Sequence, residues 1–331
     1  MIWLQFILSA AAVVIAAHFL AQYGDIIAVR TKLGGLFVGT VFLAAATSLP
    51  EMLASVNAFR VGAPDLAAGN FFGSNMVNMA LLAILGLLFF RQPLMRRIAI
   101  NHALTATLTI LLMLVAVISI LADISIGVGW VGLDSIVIMV GYFGGLWVVQ
   151  QGMRGGVATA VMPDVEPGPN FPTLRRGIIG FAIAAIVLVA VVPLLVNAST
   201  GIAEVTGLGT GFVGTSLLAL VTSLPELIAA MAAMRMNAFD LAVGNLFGSS
   251  VFNMFALGLA DFIYFDGPFM DAIDPTFALV GLLGLLLTTM ALMSTLARVE
   301  RRFLFIELDS LVILIVYFLG MYLLFLRGVG V

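Results

Sequence analysis

An internal repeat constrains this chain more than any other feature of its sequence. When the sequence is shifted by 175 residues, 23 of the 41 positions from Gly39 to Met79 match the segment 214–254 without a gap. A shared hydrophobic bias produces scattered Leu and Ala matches, but it does not place Pro, Glu, Asp and Asn in register. The strongest match is the string Thr-Ser-Leu-Pro-Glu, which ends at Glu51 in one copy and at Glu226 in the other. The chain therefore contains two copies of one structural unit.

Both copies lie in a chain with the composition of a membrane protein. The sequence is 63% hydrophobic and 9% charged, with a mean hydropathy of +1.21, so a water-soluble fold is excluded. A hydrocarbon core about 30 Å thick needs roughly 20 apolar residues for each helical crossing. Ten apolar stretches of this kind predict an all-α integral membrane protein with ten transmembrane helices. The predicted spans are 3–22, 34–59, 65–89, 98–121, 127–150, 175–197, 207–234, 240–264, 275–296 and 304–326.

The spacing of the two copies predicts their relative orientation. The offset contains five crossings, an odd number, so the copies enter the membrane from opposite sides, related by a pseudo-two-fold axis in its plane. We predict two inverted five-helix repeats, 1–150 and 175–331, joined by a cytoplasmic linker at 151–174 that contains several Pro and Gly residues. In transporters with this architecture the binding site lies near the midplane, where the repeats meet.

The basic residues predict how the chain is inserted. With ten crossings, twelve of the 14 Lys and Arg residues fall on one face, and only Arg60 and Arg327 fall on the other. Short loops rich in Lys and Arg stay in the cytoplasm, so both termini should lie outside it, with the chain in the plasma membrane, the inner membrane of a prokaryotic cell. The basic face comprises Arg30, Lys32, Arg91, Arg96, Arg97, Arg154, Arg175, Arg176, Arg235, Arg298, Arg301 and Arg302.

Glu51 and Glu226 are the candidate centre of a functional site. A carboxylate in hydrocarbon is costly, and the helices around these glutamates offer no basic residue at the same depth. Two facing carboxylates repel each other unless a bound cation, a shared proton or ordered water lies between them. Pro50 and Pro225 lack an amide hydrogen and crowd the preceding turn, which frees backbone carbonyls to act as cation ligands.

The donor chemistry of this site favours calcium. Calcium takes about six to eight oxygen ligands, and two bidentate glutamates with the carbonyls of Thr47 and Thr222 would supply roughly six. Magnesium demands a tighter octahedron, and zinc or copper would favour His or Cys, which these segments lack. In the helix after each glutamate, a Ser and an Asn four residues apart share one face and offer neutral oxygens that suit sodium. These pairs are Ser74 with Asn78 and Ser249 with Asn253.

Both copies of the repeat resemble a known family. The strings GTVFLAAATSLPE with GNFFGSNMVN, and GTSLLALVTSLPE with GNLFGSSVFN, look like the two alpha repeats of the sodium/calcium exchanger family within the cation/calcium antiporter superfamily. The resemblance extends over the whole chain through the number and spacing of the helices. It implies a secondary antiporter that exchanges calcium for sodium by alternating access, in which the first helices of the two halves, 3–22 and 175–197, move as gates.

The resemblance also implies which residues bind the ions. Calcium would be held by Glu51 and Glu226 with the carbonyls of Thr47 and Thr222. Sodium would be held by Ser48, Ser223, Ser74, Ser249 and the carbonyls of Ala44 and Ala219, and Asn78 and Asn253 would complete the ring.

Three comparisons within the family refine the expectation. Related proton/calcium exchangers usually carry a Gly-Asn-x-x-Glu core in place of Thr-Ser-Leu-Pro-Glu, so the sequence favours sodium coupling over proton coupling. Potassium-dependent relatives place an aspartate where Asn253 stands, which argues against potassium co-transport. Ser250 departs from the pattern, since the matching copy has Asn75 and many relatives have asparagine in both copies, and this puts the sodium coordination of the second half in doubt.

Other functional interpretations stay open at this point. A proton-coupled exchanger of calcium or another divalent cation is the main alternative, because a buried glutamate can carry a proton as readily as it shares a metal. A passive cation channel would also use facing carboxylates, but inverted repeats with broken helices fit alternating access better. We find no nucleotide-binding loop and no nucleophile with a histidine base, so we do not expect an enzyme. We expect calcium and sodium as substrates in a lipid bilayer, with no cofactor, nucleic acid or protein partner.

Overall fold

The computed structural model describes residues 1–31, 43–89, 94–122, 126–155, 171–296, 302–303 and 306–330, and these are almost entirely helical. Two short antiparallel hairpins pair β1 (Gly127–Val128) with β2 (Val131–Gly132), and β3 (Arg302–Phe303) with β4 (Ile306–Glu307). The helices are α1 (Ile2–Arg30), α2 (43–47), α3 (Leu49–Arg60), α4 (Pro64–Leu88), α5 (Leu94–Ala122), α6 (Leu133–Gly155), α7 (Leu174–Thr206), α8 (Thr210–Val213), α9 (Ala219–Thr222), α10 (Leu224–Arg235), α11 (Phe239–Ile263), α12 (Phe269–Ala272), α13 (Phe277–Leu296) and α14 (Leu308–Arg327).

The helices confirm the predicted class of the protein. Within the described residues, nine helical segments are long and apolar enough to cross a membrane. They correspond to nine of the ten predicted spans. The remaining span, 34–59, is described from residue 43 onward, where α2 and α3 lie, and its first part falls outside the described residues. The chain is therefore an all-α integral membrane protein.

The helix that carries each glutamate is broken shortly before it. One break falls at Ser48, between α2 and α3, and the other at Ser223, between α9 and α10. The second residue of α3 and of α10 is a proline, which has no N–H and whose ring crowds the turn before it, so the helical hydrogen-bond ladder is interrupted there. The structure thus breaks the predicted span 34–59 at Ser48 and the predicted span 207–234 at Ser223.

Three predicted boundaries differ most from the observed helix ends. The predicted start at residue 127 lies in the β1–β2 hairpin, because Gly129 adopts φ +70° there and turns the chain before α6 can begin at Leu133. The predicted ends at 22 and 197 are too early, since α1 continues to Arg30 and α7 to Thr206. Polar residues near the ends of α1 and α7 suggested an earlier end, but the two helices pack against each other and stay helical beyond that point.

α1 and α7 pack against each other as a long antiparallel pair. Tyr23 lies against Gly180 and Ile26 lies against Gly177, so small residues of α7 receive large side chains of α1. Near the opposite end, Gln5 Nε2 donates to the carbonyl of Leu194 over 3.1 Å. At about 1.5 Å per residue, these helices of 29 and 33 residues extend roughly 43 and 50 Å, well beyond a hydrocarbon core of about 30 Å.

The two helices that follow the glutamate-bearing segments form the centre of the molecule. Almost every residue of α4 is buried, and most of α11 is buried as well. α5 and α13 pack around them, whereas α6 and α14 expose large apolar side chains on their outer faces. Polar residues on α4 and α11 are therefore enclosed by protein and not by lipid, as membrane proteins require of intramembrane polar groups.

Candidate cation-binding site

The structure buries every residue that the sequence predicts to bind an ion. Glu51 is 1% exposed and Glu226 is 0% exposed, and within the described part of the chain neither forms an ion pair with Lys or Arg. The predicted set, all of it buried, is Ala44, Thr47, Ser48, Glu51, Ser74, Asn78, Ala219, Thr222, Ser223, Glu226, Ser249 and Asn253.

Each glutamate reaches across to the helix break of the other repeat. Ser223 Oγ donates a hydrogen bond to Oε1 of Glu51 over 3.2 Å, and Ser48 Oγ donates to Oε1 of Glu226 over 3.1 Å. The 175-residue offset converts one of these bonds into the other, as the predicted pseudo-two-fold relation requires. The two breaks are therefore held face to face, with a carboxylate on either side.

A second reciprocal pair of bonds involves two asparagines that the sequence analysis did not assign to the site. Thr222 Oγ1 donates to Asn70 Oδ1 over 3.1 Å, and Thr47 Oγ1 donates to Asn245 Oδ1 over 3.4 Å. Asn70 Nδ2 also donates to the backbone carbonyl of Glu51 over 3.0 Å, which ties α4 to α3 at the glutamate. A signal was available, because both asparagines follow a glycine in register within otherwise apolar helices.

A third reciprocal pair joins α4 to α11 directly. Asn78 Nδ2 donates to Ser250 Oγ over 3.4 Å, and Asn253 Nδ2 donates to Asn75 Oδ1 over 3.2 Å. Ser250 is the counterpart of Asn75 under the same offset. All three pairs of hydrogen bonds thus obey one two-fold relation, so the structure brings the two copies of the motif together as the sequence predicts.

Several buried oxygen atoms at this site have no hydrogen-bond partner within the described part of the chain. They are Oε2 of Glu51 and of Glu226, Oγ of Ser74, and Oδ1 of Asn78 and of Asn253. Buried polar atoms are rarely left unpaired in folded proteins, because each such atom costs its full desolvation penalty. All five are hard oxygen donors of residues predicted to bind an ion, the type of ligand that a hard cation prefers. Among the described residues, Nδ2 of Asn75 and of Asn245 are also buried and unpaired, and these amide donors would not bind a cation.

The charge of the site comes from two carboxylates. Glu51 and Glu226 repel each other electrostatically. In the part of the chain that the structure describes, no group of three or more His, Cys, Asp or Glu side chains lies together where it could hold a metal ion. The remaining oxygens around the two carboxylates are neutral, so the site offers two negative charges and neutral oxygen ligands to whatever it binds. It offers no nitrogen or sulfur donor of the kind that zinc or copper prefers.

The backbone carbonyls before each break are partly engaged within their own helices. Ser48 N donates to the carbonyl of Ala44 over 2.9 Å, and Ser223 N donates to that of Ala219 over 3.1 Å. The hydroxyls of Thr47 and Thr222 also approach these carbonyls, at 3.1 and 3.3 Å. A carbonyl oxygen has two lone pairs, so each of these carbonyls can accept its backbone hydrogen bond and still bind a cation.

Glycines let α4 approach the broken helix of the second repeat. A Cβ atom on Gly69 would lie 2.5 Å from the carbonyl oxygen of Gly211, and one on Gly73 would lie 2.5 Å from that of Thr215. Between α8 and α9, Gly214–Leu218 forms a single turn of π-helix, the kind of local widening that is frequent at functional sites. Gly69 and Gly73 thus allow close packing between the two repeats.

Comparisons with known proteins identify a matching family model and solved structures with the same fold. The family model described as Sodium/calcium exchanger protein matches residues 1–150 and 176–327. The Inner membrane protein YrbG of Escherichia coli K12 is 29% identical over 68% of this chain and 68% of its own length. The solved structure of the H+/Ca2+ exchanger CAX resembles this one with a TM-score of 0.66 at 15% identity, covering 99% of this chain and 89% of that chain. The sodium-calcium exchanger NCX_Mj resembles it with a TM-score of 0.59 at 18% identity, over 97% and 99%. These likenesses confirm the predicted fold class, ten transmembrane helices in two inverted repeats.

Proposed function

Because the chain belongs to the sodium/calcium exchanger protein family, we propose that it is a secondary antiporter that exchanges calcium for sodium by alternating access. The observation that carries this proposal is the set of five unpaired buried oxygens around two facing carboxylates. Relatives of this fold include a protein described as a sodium-calcium exchanger and one described as an H+/Ca2+ exchanger, so calcium is the ion common to both. The site lies where the two repeats meet, as in other transporters built from inverted repeats.

The ligands of the two ions overlap. We assign calcium to Glu51 and Glu226, whose unpaired Oε2 atoms supply the negative charge, with the carbonyls of Thr47 and Thr222 at the breaks. We assign sodium to hydroxyl and carbonyl oxygens beside the same carboxylates. The amide oxygens of Asn78 and Asn253 complete the ring of ligands around either ion. The sodium ligands in this proposal are Ser48, Ser223, Ser74, Ser249 and the carbonyls of Ala44 and Ala219.

Electrostatics explains why such a site would exchange ions and not leak them. Without a cation the two buried carboxylates repel each other, and carrying them uncompensated through a change of access is costly in a low-dielectric interior. One calcium ion or two sodium ions neutralise the pair, and both cannot occupy it at once. The site can therefore change sides with either cargo but not when empty, which is the requirement for antiport. A third sodium ion would leave one positive charge to be carried across the membrane.

The long helices α1 and α7 are the proposed gates. They pack mainly on each other and more sparsely on the helices that carry the site, with α1 against α10 and α9, and α7 against α3 and α8. A pair that is loosely attached to a well-packed core can slide as a unit, exposing the site first to one side and then to the other. The other eight of the ten predicted transmembrane spans would stay fixed.

A proton-coupled calcium exchanger is the second candidate function. Two protons would neutralise Glu51 and Glu226 as well as two sodium ions do, and the TM-score to an H+/Ca2+ exchanger is 0.66. The neutral oxygens of Ser74, Asn78 and Asn253 favour sodium, because a proton on a carboxylate needs no ring of further ligands.

Calcium flux under imposed gradients tests the proposed function. Purified protein is reconstituted in proteoliposomes loaded with either NaCl or choline chloride at one pH, and uptake of radioactive calcium is measured with a protonophore present. We expect rapid uptake only into sodium-loaded vesicles. Uptake that instead follows a pH gradient imposed in sodium-free buffer without the protonophore would assign proton coupling, and uptake without any counter-ion would indicate a channel.

Cysteine labelling tests the predicted orientation. The chain has no cysteine, so a single introduced cysteine reports one position. Asp266 lies exposed between α11 and α12, on the predicted extracytoplasmic side, and Arg175 lies exposed at the start of α7 on the predicted cytoplasmic side. We expect a membrane-impermeant maleimide to label Asp266→Cys in intact cells and Arg175→Cys only after permeabilisation. The reverse pattern would invert the predicted topology.

A further inference from the structure

Ser250 stands beside a predicted ion ligand, but its own hydrogen bonds show that it does not need a cation. Its side chain is 0% exposed, and Oγ donates to the carbonyl of Leu246, one turn earlier in α11, over 3.0 Å. A serine hydroxyl has one proton to donate. That proton is donated to the carbonyl of Leu246, so any other group that hydrogen-bonds to Oγ must be a donor.

This proton assignment determines the orientation of Asn78. The amide of Asn78 approaches Ser250 Oγ to 3.4 Å, and since Oγ can only accept, the approaching atom must be the donor Nδ2. The amide oxygen then points away from Ser250, and Oδ1 of Asn78 is one of the buried atoms without a partner in the described residues. The oxygen and nitrogen of an asparagine amide are distinguished by their hydrogen bonds, and here the assignment follows from Ser250.

We propose that Ser250 is a positioning residue, which holds the amide of Asn78 with its oxygen towards the transported cation. This inference rests on the proposed function, because it takes the cation site between Glu51 and Glu226 as given. Without the lone pair of Ser250, the amide of Asn78 can rotate and present Nδ2 to the site. An N–H donor opposes a cation, whereas an amide oxygen binds one.

The symmetry-related position supports the same role with different chemistry. Asn75 Oδ1 accepts from Nδ2 of Asn253 over 3.2 Å, and Oδ1 of Asn253 is left without a partner among the described residues. Asn75 and Ser250 occupy matching positions in the two copies, and each accepts a hydrogen bond from the asparagine of the opposite repeat. Ser250 departs from the repeat pattern in residue type, but it still provides the acceptor of this hydrogen bond. Its hydroxyl oxygen takes the place of the amide oxygen of Asn75.

A double-mutant cycle tests this role by measuring cation binding apart from transport. Calcium binding to purified protein is titrated calorimetrically, and the half-saturating calcium concentration and maximal rate of uptake are measured in proteoliposomes. We expect Ser250→Ala to weaken calcium binding about three- to tenfold, with the maximal rate close to that of the unaltered protein. Ser250→Asn, which restores an acceptor of the type found at Asn75, should recover most of the lost affinity.

The pairing across repeats gives the sharpest readout. Adding Ser250→Ala to Asn78→Ala should cause no further loss of calcium affinity, because the amide that Ser250 orients is already gone. Adding Ser250→Ala to Asn253→Ala should lower the calcium affinity as much as Ser250→Ala does in the unaltered protein. Equal losses in both backgrounds, a fall in maximal rate at unchanged affinity, or no recovery in Ser250→Asn would each overturn the inference.

If the unaltered protein exchanges calcium while the cycle is additive, this inference alone fails. If the cycle behaves as expected but no exchange occurs, the proposed function fails, and absence of cation binding would overturn both.

Discussion

Replacing Glu51 or Glu226 by Gln is expected to reduce calcium uptake into sodium-loaded proteoliposomes to the level of protein-free vesicles. The site has two acids, and within the described residues no basic group and no third acid accompanies them. One remaining carboxylate cannot neutralise a divalent ion, so the bound state would carry a net positive charge in a low-dielectric interior. A buried charge of this kind costs several kcal/mol, and a loss on the order of a hundredfold or more follows.

The Gln substitutions preserve the shape of the site, which makes this test specific. Ser223 donates to Oε1 of Glu51, and Ser48 donates to Oε1 of Glu226, so the amide oxygen of a Gln can accept the same bond. Glu204→Gln is the matched control, because Glu204 is exposed on α7 and forms no part of the site. We expect the control to transport normally and all three variants to elute as folded protein in size-exclusion chromatography. Near-normal uptake by both site variants would contradict the assignment of these glutamates.

The two glutamates at the centre of the site could be predicted because a short local sequence pattern marks each of them. An acid after a Pro within an apolar helix is costly unless the fold provides a partner, and finding it twice in register indicates a shared site. The odd number of crossings between the copies then predicts which residues face each other. The reciprocal bonds of Ser48 with Glu226 and of Ser223 with Glu51 are the direct structural consequence.

Other features of the site depend on contacts that only the three-dimensional structure shows. Asn70 and Asn245 match in register after a glycine, but the threonines that donate to them, Thr222 and Thr47, lie more than 150 residues away in the sequence. The π-helical turn Gly214–Leu218 has no composition that distinguishes it from an α-helix. The role of Ser250 depends on which acceptor takes its single proton, and hydropathy and repeat matching do not contain that information.

The ends of helices were predicted less well than their number for a related reason. Hydropathy reports where lipid surrounds a helix, and α1 and α7 continue past that region because they pack on each other. The hairpin before α6 is equally invisible to hydropathy, since Val128, Trp130 and Val131 are as apolar as a helix start. Boundaries between the repeats and the linker at 151–174 stay a prediction, because much of that segment falls outside the described residues.

Gly73→Ala is expected to abolish most of the transport activity and to lower the thermal stability of the protein. The new Cβ would lie 2.5 Å from the carbonyl oxygen of Thr215 and 2.7 Å from its Cα. These are backbone atoms, so no side-chain rotation relieves the overlap, and α4 must move away from the π-helical turn. Overpacking of this kind typically costs about 1–3 kcal/mol. A melting temperature several degrees lower is expected in detergent, measured by intrinsic fluorescence.

The effect on transport should exceed the effect on stability, because the displaced elements hold both sides of the site. Gly73 directly precedes Ser74 on α4, and the π-helical turn leads through α9 to Ser223, which binds Glu51 over 3.2 Å. A shift of a few tenths of an ångström between them lengthens that bond and separates the oxygens that a cation must bridge. Gly144→Ala is the matched control, since no atom lies within 4 Å of its new Cβ on the outer face of α6, and it should behave as the unaltered protein. Normal uptake and stability in Gly73→Ala would show that the close approach of the two backbones is not required for exchange.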